Sequence, residues 1–236
     1  MTLYKYLKKQ KQNQRKMWAI LLDPDKVDLP NFKKLVEKIH LAKPDLLLVG
    51  GSFISEQKLL KLVKKLKKHC QIPVMLFPGS PAQISPDADA LMLLSLISGR
   101  NAEYLIGKHV EAAPILHHSG LEIIPTGYLL IENGKSTSVE YISNTKPIPR
   151  NKTDIALATA LAGEMLGLKM LYLEAGSGAK KPVPLKMISA ISKHSRLPLI
   201  VGGGIKTRPR VLKAWAAGAD LVVVGTAFEE NVFKKT

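Results

Sequence analysis

Between residues 170 and 226 the chain reads MLYLEAGSG (170–178), LPLIVGGGI (197–205) and LVVVGT (221–226). Each is a short apolar run that stops at glycine. Each is too brief for a helix, so residues 170–173, 197–201 and 221–224 are predicted to be buried strands. Helical spacing fills the gaps, over 185–194 and from a Thr207 cap to near Gly218. Strands that are apolar on both faces and separated by helices belong to a parallel sheet.

The same rhythm runs back to the N-terminus. MWAILL (17–22) is a strand stopped by Asp23-Pro24, and 31–42 is a helix with Phe32, Leu35, Val36 and Ile39 on one face. DLLLV (45–49) is the next strand. A helix over 56–69 follows a Ser55 cap and buries Leu59, Leu62, Val63 and Leu66. Residues 74–77 and 90–94 read as strands, but Pro78, Pro81 and Pro86 break the connection, so the third helix is expected to be irregular. A helix over 102–113, a strand over 121–124 and a helix from a Thr153 cap through Gly167 complete the series. Eight strands alternating with helices predict a modified TIM (β/α)8 barrel forming a single domain, 1–236, with a doubly wound open sheet as the runner-up. One segment breaks the rhythm. Residues 126–152 carry YLLIE and KSTSVEYIS around Asn133-Gly134, which predicts a hairpin excursion after the fifth strand, lying over the C-terminal face.

Hydrophobic residues make up 46% and charged residues 23% of the 236, which excludes a disordered chain. No apolar run is long enough to span a bilayer, and the basic N-terminus lacks the apolar stretch of a signal peptide, so a cytoplasmic protein is expected. The lone Cys70 excludes an intramolecular disulfide and a zinc–cysteine cluster. Lys and Arg total 35 against 19 Asp and Glu, a net charge of +16 that favours an anionic partner. Aromatics are only 6%, thin for base stacking, and no nucleic-acid-binding signature is present, so a nucleic-acid partner is not expected.

The chemical signals cluster just after strands. Gly202-Gly203-Gly204 and Gly225-Thr226 follow the seventh and eighth strands, where barrels bind phosphate through backbone N–H groups. A short helix over 227–233 is expected to point its N-terminus at the same anion. Alternation along the sixth strand sends Tyr172 and Glu174 together into the barrel mouth, beside Gly176-Ser177-Gly178. Asp23 and Ser52 end the first and second strands. They suit either a sparse Mg2+ site or ordinary turns. Other residues read as structure: Asp25 at the surface or a helix start, His117-His118 as a polar loop, Cys70 as inert and Trp215 as core or subunit interface. Lys58, Lys61, Lys64, Lys65 and Lys68 read as a solvated helix face.

Taken together, LLDPDK (21–26), VGGS (49–52), IPTGYLLI (124–131), SNTKPIPR (143–150), YLEAGSGA (172–179), GGGI (202–205) and VGT (224–226) resemble the geranylgeranylglyceryl phosphate synthase family, over nearly the whole chain. That family also contains heptaprenylglyceryl phosphate synthases, and YLEAGSG resembles the archaeal type more closely. The resemblance implies a Mg2+-dependent prenyltransferase. It would join the 3-hydroxyl of sn-glycerol 1-phosphate to geranylgeranyl diphosphate, or to a longer donor, and release diphosphate. It implies Asp23 and Ser52 as Mg2+ ligands. Tyr172, Leu173, Glu174, Ala175, Gly176, Ser177, Gly178, Gly203, Gly204, Gly225 and Thr226 would hold glycerol 1-phosphate. Glu174, Tyr172 and Asp23 would carry the catalysis, with Glu174 as the base. Lys206 stands where most relatives carry Arg, which would make any phosphate contact there a point charge. An apolar groove for the prenyl chain is expected around Leu93, Leu94, Leu96, Ile97 and Tyr104. The lipid product implies transient contact with a membrane surface, and the family implies a homo-oligomer, dimer or hexamer. Another phosphate-binding barrel, an isomerase or FMN enzyme, would share the glycine signals but not Asp23 with Ser52.

Overall fold

Side chains along the strands sort into two buried sets, one facing a closed interior and one facing a surrounding ring of helices. The computed structural model describes residues 1–230 and Phe233. Eight parallel strands close into a barrel in sequence order. They are β1 (Met17–Leu22), β2 (Leu46–Gly51), β3 (Val74–Pro78), β4 (Ala90–Ser95), β5 (Glu122–Leu130), β6 (Met170–Glu174), β7 (Leu199–Gly202) and β8 (Leu221–Val224). Closure is direct, with Met17 of β1 opposite Leu221 of β8. Met17, Ala19, Met75, Met92, Tyr172, Ile200 and Val223 pack in the interior. Their strand neighbours Ile20, Val74, Leu91, Leu171, Val201 and Val222 pack against helices. This is the period-2 alternation of a pleated strand, with both faces apolar because both are covered.

The outer helices are α2 (Phe32–Ala42), α3 (Glu56–His69), α4 (Gly107–His118), α6 (Thr153–Met165), α7 (Leu185–His194) and α8 (Arg208–Ala216). The stripe Leu59, Leu62, Val63 and Leu66 of α3 is wholly buried. No helix separates β3 from β4, as the three prolines require. Ser55, Thr153 and Thr207 mark helix starts, but none uses its side chain as a cap: Ser55 and Thr207 hold the capping position without the bond, and Thr153 is already helical. Residues 102–113 are not one helix. A 3-10 turn at Ala102–Tyr104 is folded back by the Leu96 N–H donating to the Tyr104 carbonyl (2.9 Å), and α4 begins only at Gly107. His117 and His118 then form the last turn of α4 rather than a loop.

The expected hairpin is absent. Strand β5 runs through Leu130, and Ile131 continues it with a single parallel bridge to Ile148. Ser138–Ser143 forms a short helix, α5, capped by the Thr137 hydroxyl accepting from the Glu140 N–H. The sequence carries this signal: Thr137-Ser138-Val139-Glu140 has the spacing of a capping box, which competes with the β-rich reading and wins. The excursion nonetheless lies over the C-terminal face. The Tyr104 hydroxyl donates to the Ile142 carbonyl, and Asn101 donates to that of Ser143 (2.7 Å).

The basic N-terminus forms helix α1 (Leu3–Gln12), which seals the opposite end of the barrel with Leu3 and Leu7. Its first free N–H groups, on Leu3 and Tyr4, donate to the Glu122 carboxylate at the start of β5. Lys11 pairs with Asp220 (2.8 Å), and Arg15 pairs with Asp45 (2.6 Å). Glu122→Ala removes an acidic cap and leaves two donors without it. A loss of about 1–2 kcal/mol in urea unfolding, with the denaturant slope unchanged, is expected. An unchanged midpoint would show that α1 docks by Leu3 and Leu7 alone.

Candidate active site

The strand ends on the carbonyl side open into one cavity. Its wall includes Asp23, Ser52, Tyr172, Glu174, Gly176, Ser177, Gly178, Gly203, Gly204, Gly225 and Thr226, all expected at the site. Leu173 and Ala175 are not brought to it. Their side chains point outward into the helix-side core, and the Ala175 backbone is spent on Gly202 and Asn133.

Glu174 is buried at the floor, and the Gly176 N–H donates to its Oε1 (2.5 Å). Burial pushes its carboxyl up to about 7, against the Gly176 N–H and the nearby Tyr172 hydroxyl, which favour the charged form. Tyr172 is also buried, in an aromatic cluster with Phe77 (5.2 Å between ring centres) and Tyr128 (5.5 Å). Burial and then the Glu174 charge hold its phenol well above its usual value. Its hydroxyl is sealed from water and makes no hydrogen bond of proper geometry. A buried hydroxyl left unmatched costs free energy, and the polar group beside this one is the Glu174 carboxylate.

The glycines around Glu174 have steric reasons. A side chain at Gly202 would meet the Tyr172 hydroxyl and Glu174, and one at Gly203 would meet the Glu174 carboxylate. Gly203 and Gly204 also have φ of 80° and 70°, which disfavours any larger residue. Ser177 Oγ lies 3.3 Å from Thr226 Oγ1, joining the loops after β6 and β8. Thr226 opens helix α9 (Thr226–Glu229), which is shorter than expected; 231 and 232 lie outside the described residues. Lys206 lines the cavity as well. Arg210, which sequence reasoning passed over, donates to the Gly204 carbonyl (2.7 Å) and fixes that loop.

At the opposite wall, Asp23 is a turn residue, as one of its two readings expects. Its Oδ1 accepts the Asp25 N–H (3.0 Å) in an Asx turn, while Oδ2 faces Gly51 beside Ser52. Asp25 reaches across to accept the Ser55 N–H (3.0 Å) and pairs with Lys58 (3.0 Å), so it supplies the cap that Ser55 does not. Lys65 lies over the Phe32 ring (5.2 Å), so the lysine face is not wholly solvated. Glu229 of α9 was not legible in advance. Its Oε1 accepts the Asp23 N–H (3.0 Å), and burial raises its carboxyl, opposed by that bond and by Lys26.

A second, apolar groove opens from the same mouth, sharing Gly51, Ser52, Phe77, Tyr128 and Val139 with the polar cavity. It runs between β3, β4 and α4, where the third helix is missing, past Leu93, Leu94, Leu96 and Tyr104. Ile97 does not line it; it packs against Gly127 and Gly163 on the helix side.

With a glycine-lined polar cavity at the ends of β6 to β8, facing a carboxylate at the end of β1, this protein has the (β/α)8 barrel architecture with its polar site at the C-terminal face, where barrels of this class carry their chemistry. Residues 10–236 match the PcrB family, and the chain belongs to it. It is 53% identical to a geranylgeranylglyceryl phosphate synthase of Flavobacterium johnsoniae over 98% of this chain and 95% of that one. It is 40% identical to a protein of the same name from Korarchaeum cryptofilum, over 92% and 89% of the two chains. The crystal structure of (S)-3-O-geranylgeranylglyceryl phosphate synthase from Thermoplasma acidophilum in complex with sn-glycerol-1-phosphate superimposes with a TM-score of 0.89. That structure is 34% identical and covers 97% of this chain and 92% of its own.

Because folding raises the Glu174 pKa, the fold favours its neutral form. The full stability is present below the usual carboxylate value of 4.5 and is lost as pH rises through about 7. Glu174→Gln removes that loss. The variant's stability relative to wild type should therefore grow by roughly 3 kcal/mol from pH 4.5 to above 7, read by urea unfolding at each pH. A difference independent of pH would place the group's pKa near 4.5.

Proposed function

We infer that this chain is a prenyltransferase. It joins the 3-hydroxyl of sn-glycerol 1-phosphate to geranylgeranyl diphosphate and releases diphosphate. One observation carries the reading: the polar cavity, with Glu174 and Asp23 in its wall, and the apolar groove share a single mouth lined by Gly51, Ser52, Phe77, Tyr128 and Val139. A small phosphorylated alcohol fits the first and a long isoprenoid the second.

The acceptor's phosphate would lie against the loops of Gly176–Gly178, Gly203-Gly204 and Gly225-Thr226. Backbone N–H groups approach an anion there without Cβ interference. The Tyr172 hydroxyl would supply its missing hydrogen bond to the acceptor. Glu174 Oε would take the proton of the 3-hydroxyl as that oxygen's lone pair forms the bond to C1 of the donor. The C1–O bond breaks at the same time, and its electron pair leaves with diphosphate. A carboxylate with a pKa of about 7 is half ionised at neutral pH and basic enough to accept that proton. The groove keeps water from the allylic centre.

The donor set also fits Mg2+. Asp23 and Ser52 both line one cavity wall and carry hard oxygens, and Asp25 accepting the Ser55 N–H (3.0 Å) ties their two loops together. Among the described residues no cluster of three or more acidic, His or Cys side chains forms a cage. Two ligands suit an ion that keeps several waters and arrives with diphosphate. Mg2+ held there would neutralise charge on the departing diphosphate. Among the described residues no helix is long and apolar enough to cross a membrane. The proposal extends to a cytoplasmic homo-oligomer, dimer or hexamer, that touches a membrane surface transiently to deliver its lipid. Exposed Val110 and Ile115 on α4 offer apolar contact surface.

The test is incubation with sn-glycerol 1-phosphate, Mg2+ and prenyl diphosphates of increasing length, with products read by mass. Geranylgeranylglyceryl phosphate should dominate, and EDTA should bring turnover to background. Product formed equally well after EDTA treatment, or in Asp23→Asn, would remove the metal from the proposal. Glu174→Gln should lower kcat by about 10²–10⁴-fold. In wild type the rate should rise with pH up to about 7 and then level off, as the carboxylate form fills, and the variant should lose that rise. A variant kcat near wild type, with only the acceptor KM raised, would reduce Glu174 to positioning the glycerol.

A further inference from the structure

Lys26 has no part in the reaction as derived so far. It follows Asp23 by three residues, is half exposed and lines the polar cavity. Its Nζ lies 3.3 Å from Asp23 Oδ2 and 3.7 Å from Glu229 Oε2. Neither is a tight pair; Lys11–Asp220 at 2.8 Å and Lys67–Asp89 at 2.6 Å show what one looks like in this protein. Lys26 is shared loosely between two carboxylates that are themselves mostly buried, with side-chain exposures of 24% for Asp23 and 13% for Glu229.

We propose that Lys26 is a contact for the donor's diphosphate. In the free enzyme its ammonium bridges Asp23 and Glu229, and it turns to a phosphoryl oxygen once donor and Mg2+ engage Asp23. The proposal rests on the function inferred above. Its logic is electrostatic. Two carboxylates at the mouth of a cavity that takes two anions would repel both. One ammonium leaves that corner with a single net negative charge, and a divalent cation makes it net positive by one. Without Lys26 the metal-loaded corner is only neutral and loses its hold on the diphosphate. The side chain suits the task. A lysine is a point charge on a flexible stem and can change partners without breaking a forked geometry. Glu229 does not need to move, because its other oxygen stays with the Asp23 N–H at 3.0 Å. Glu229 is therefore the positioning residue that keeps Lys26 and the Asp23 backbone together.

The alternative is a strut that merely ties the β1 loop to α9. Titration calorimetry with inorganic pyrophosphate in Mg2+, and separately with sn-glycerol 1-phosphate, distinguishes them. Lys26→Met should weaken pyrophosphate binding roughly 10–100-fold, the loss of one charge-assisted contact, and leave glycerol phosphate binding unchanged. Lys26→Arg should recover part of that affinity. Wild-type pyrophosphate affinity in a folded Lys26→Met variant, with only the melting temperature lowered, would overturn the proposal. So would an equal loss for both ligands, which would make Lys26 a contributor to the general field. Asp23→Asn separates the two levels of the argument. Mg2+-dependent pyrophosphate binding that survives this change would sink the placement of the diphosphate itself. Its loss in Asp23→Asn alongside an intact Lys26→Met would sink only the role of Lys26.

Discussion

The alternation of side chains along eight closed parallel strands is the constraint on which the site depends. A pleated strand repeats every two residues, so the residue two places beyond an interior side chain inherits its direction. Within β6, Tyr172 leads to Glu174, which lines the cavity, and just past the ends of β1, β2, β7 and β8 the loops add Asp23, Ser52, Gly204 and Gly225 to the same wall. A slip of one residue in β6 would turn Glu174 out of the cavity and bring Leu173 into it. The barrel's closure thus fixes the polar groups before any of them touches a ligand.

That placement is costly, and the cost is also the chemistry. Glu174 sits beside an aromatic cluster of Phe77, Tyr128 and Tyr172, with only the Gly176 N–H and the Tyr172 hydroxyl to offset its burial. The desolvation that destabilises its charged form is what raises its pKa to about 7, and the proposed role of base rests on that shift. Glycines at 202 and 203 leave room for this arrangement. The absent third helix leaves the β3–β4 side of the barrel open as an apolar groove, the one proposed for the prenyl chain. A loss of regular structure in one place thereby supplies the binding surface that a complete barrel would lack.

Most of the fold was legible because its strands are apolar on both faces, and β1, β2, β7 and β8 stop at glycine or Asp-Pro. The reading failed where two local signals competed. Asn133-Gly134 suggested a hairpin, but the Asn133 amide instead donates to the Ala175 carbonyl, and Thr137 caps a helix. Helix α1 was missed because lysines mask the spacing of Leu3 and Leu7, and its docking depends on Glu122, more than a hundred residues away. Within the site, alternation along β6 singled out Glu174, and Asp23 and the strand-end glycines fall on the same cavity wall. Glu229, Lys26 and Arg210 were beyond that reasoning. Glu229 and Lys26 matter through bonds between the β1 loop and α9, far apart in sequence, and Arg210 through a bond back to the Gly204 carbonyl that the side-chain pattern does not announce.

The central claim is that one mouth brings an acceptor hydroxyl, held beside Glu174, to the allylic carbon of a donor whose chain fills the β3–β4 groove. The most direct measurement is a crystal structure with sn-glycerol 1-phosphate and a non-hydrolysable geranylgeranyl thiodiphosphate bound together. The account predicts the 3-hydroxyl between a Glu174 oxygen and C1 of the donor, within hydrogen-bond reach of the carboxylate. The phosphate should lie on the loops after β6, β7 and β8. An acceptor whose 3-hydroxyl faces away from Glu174, or a prenyl chain lying outside the groove, would contradict it.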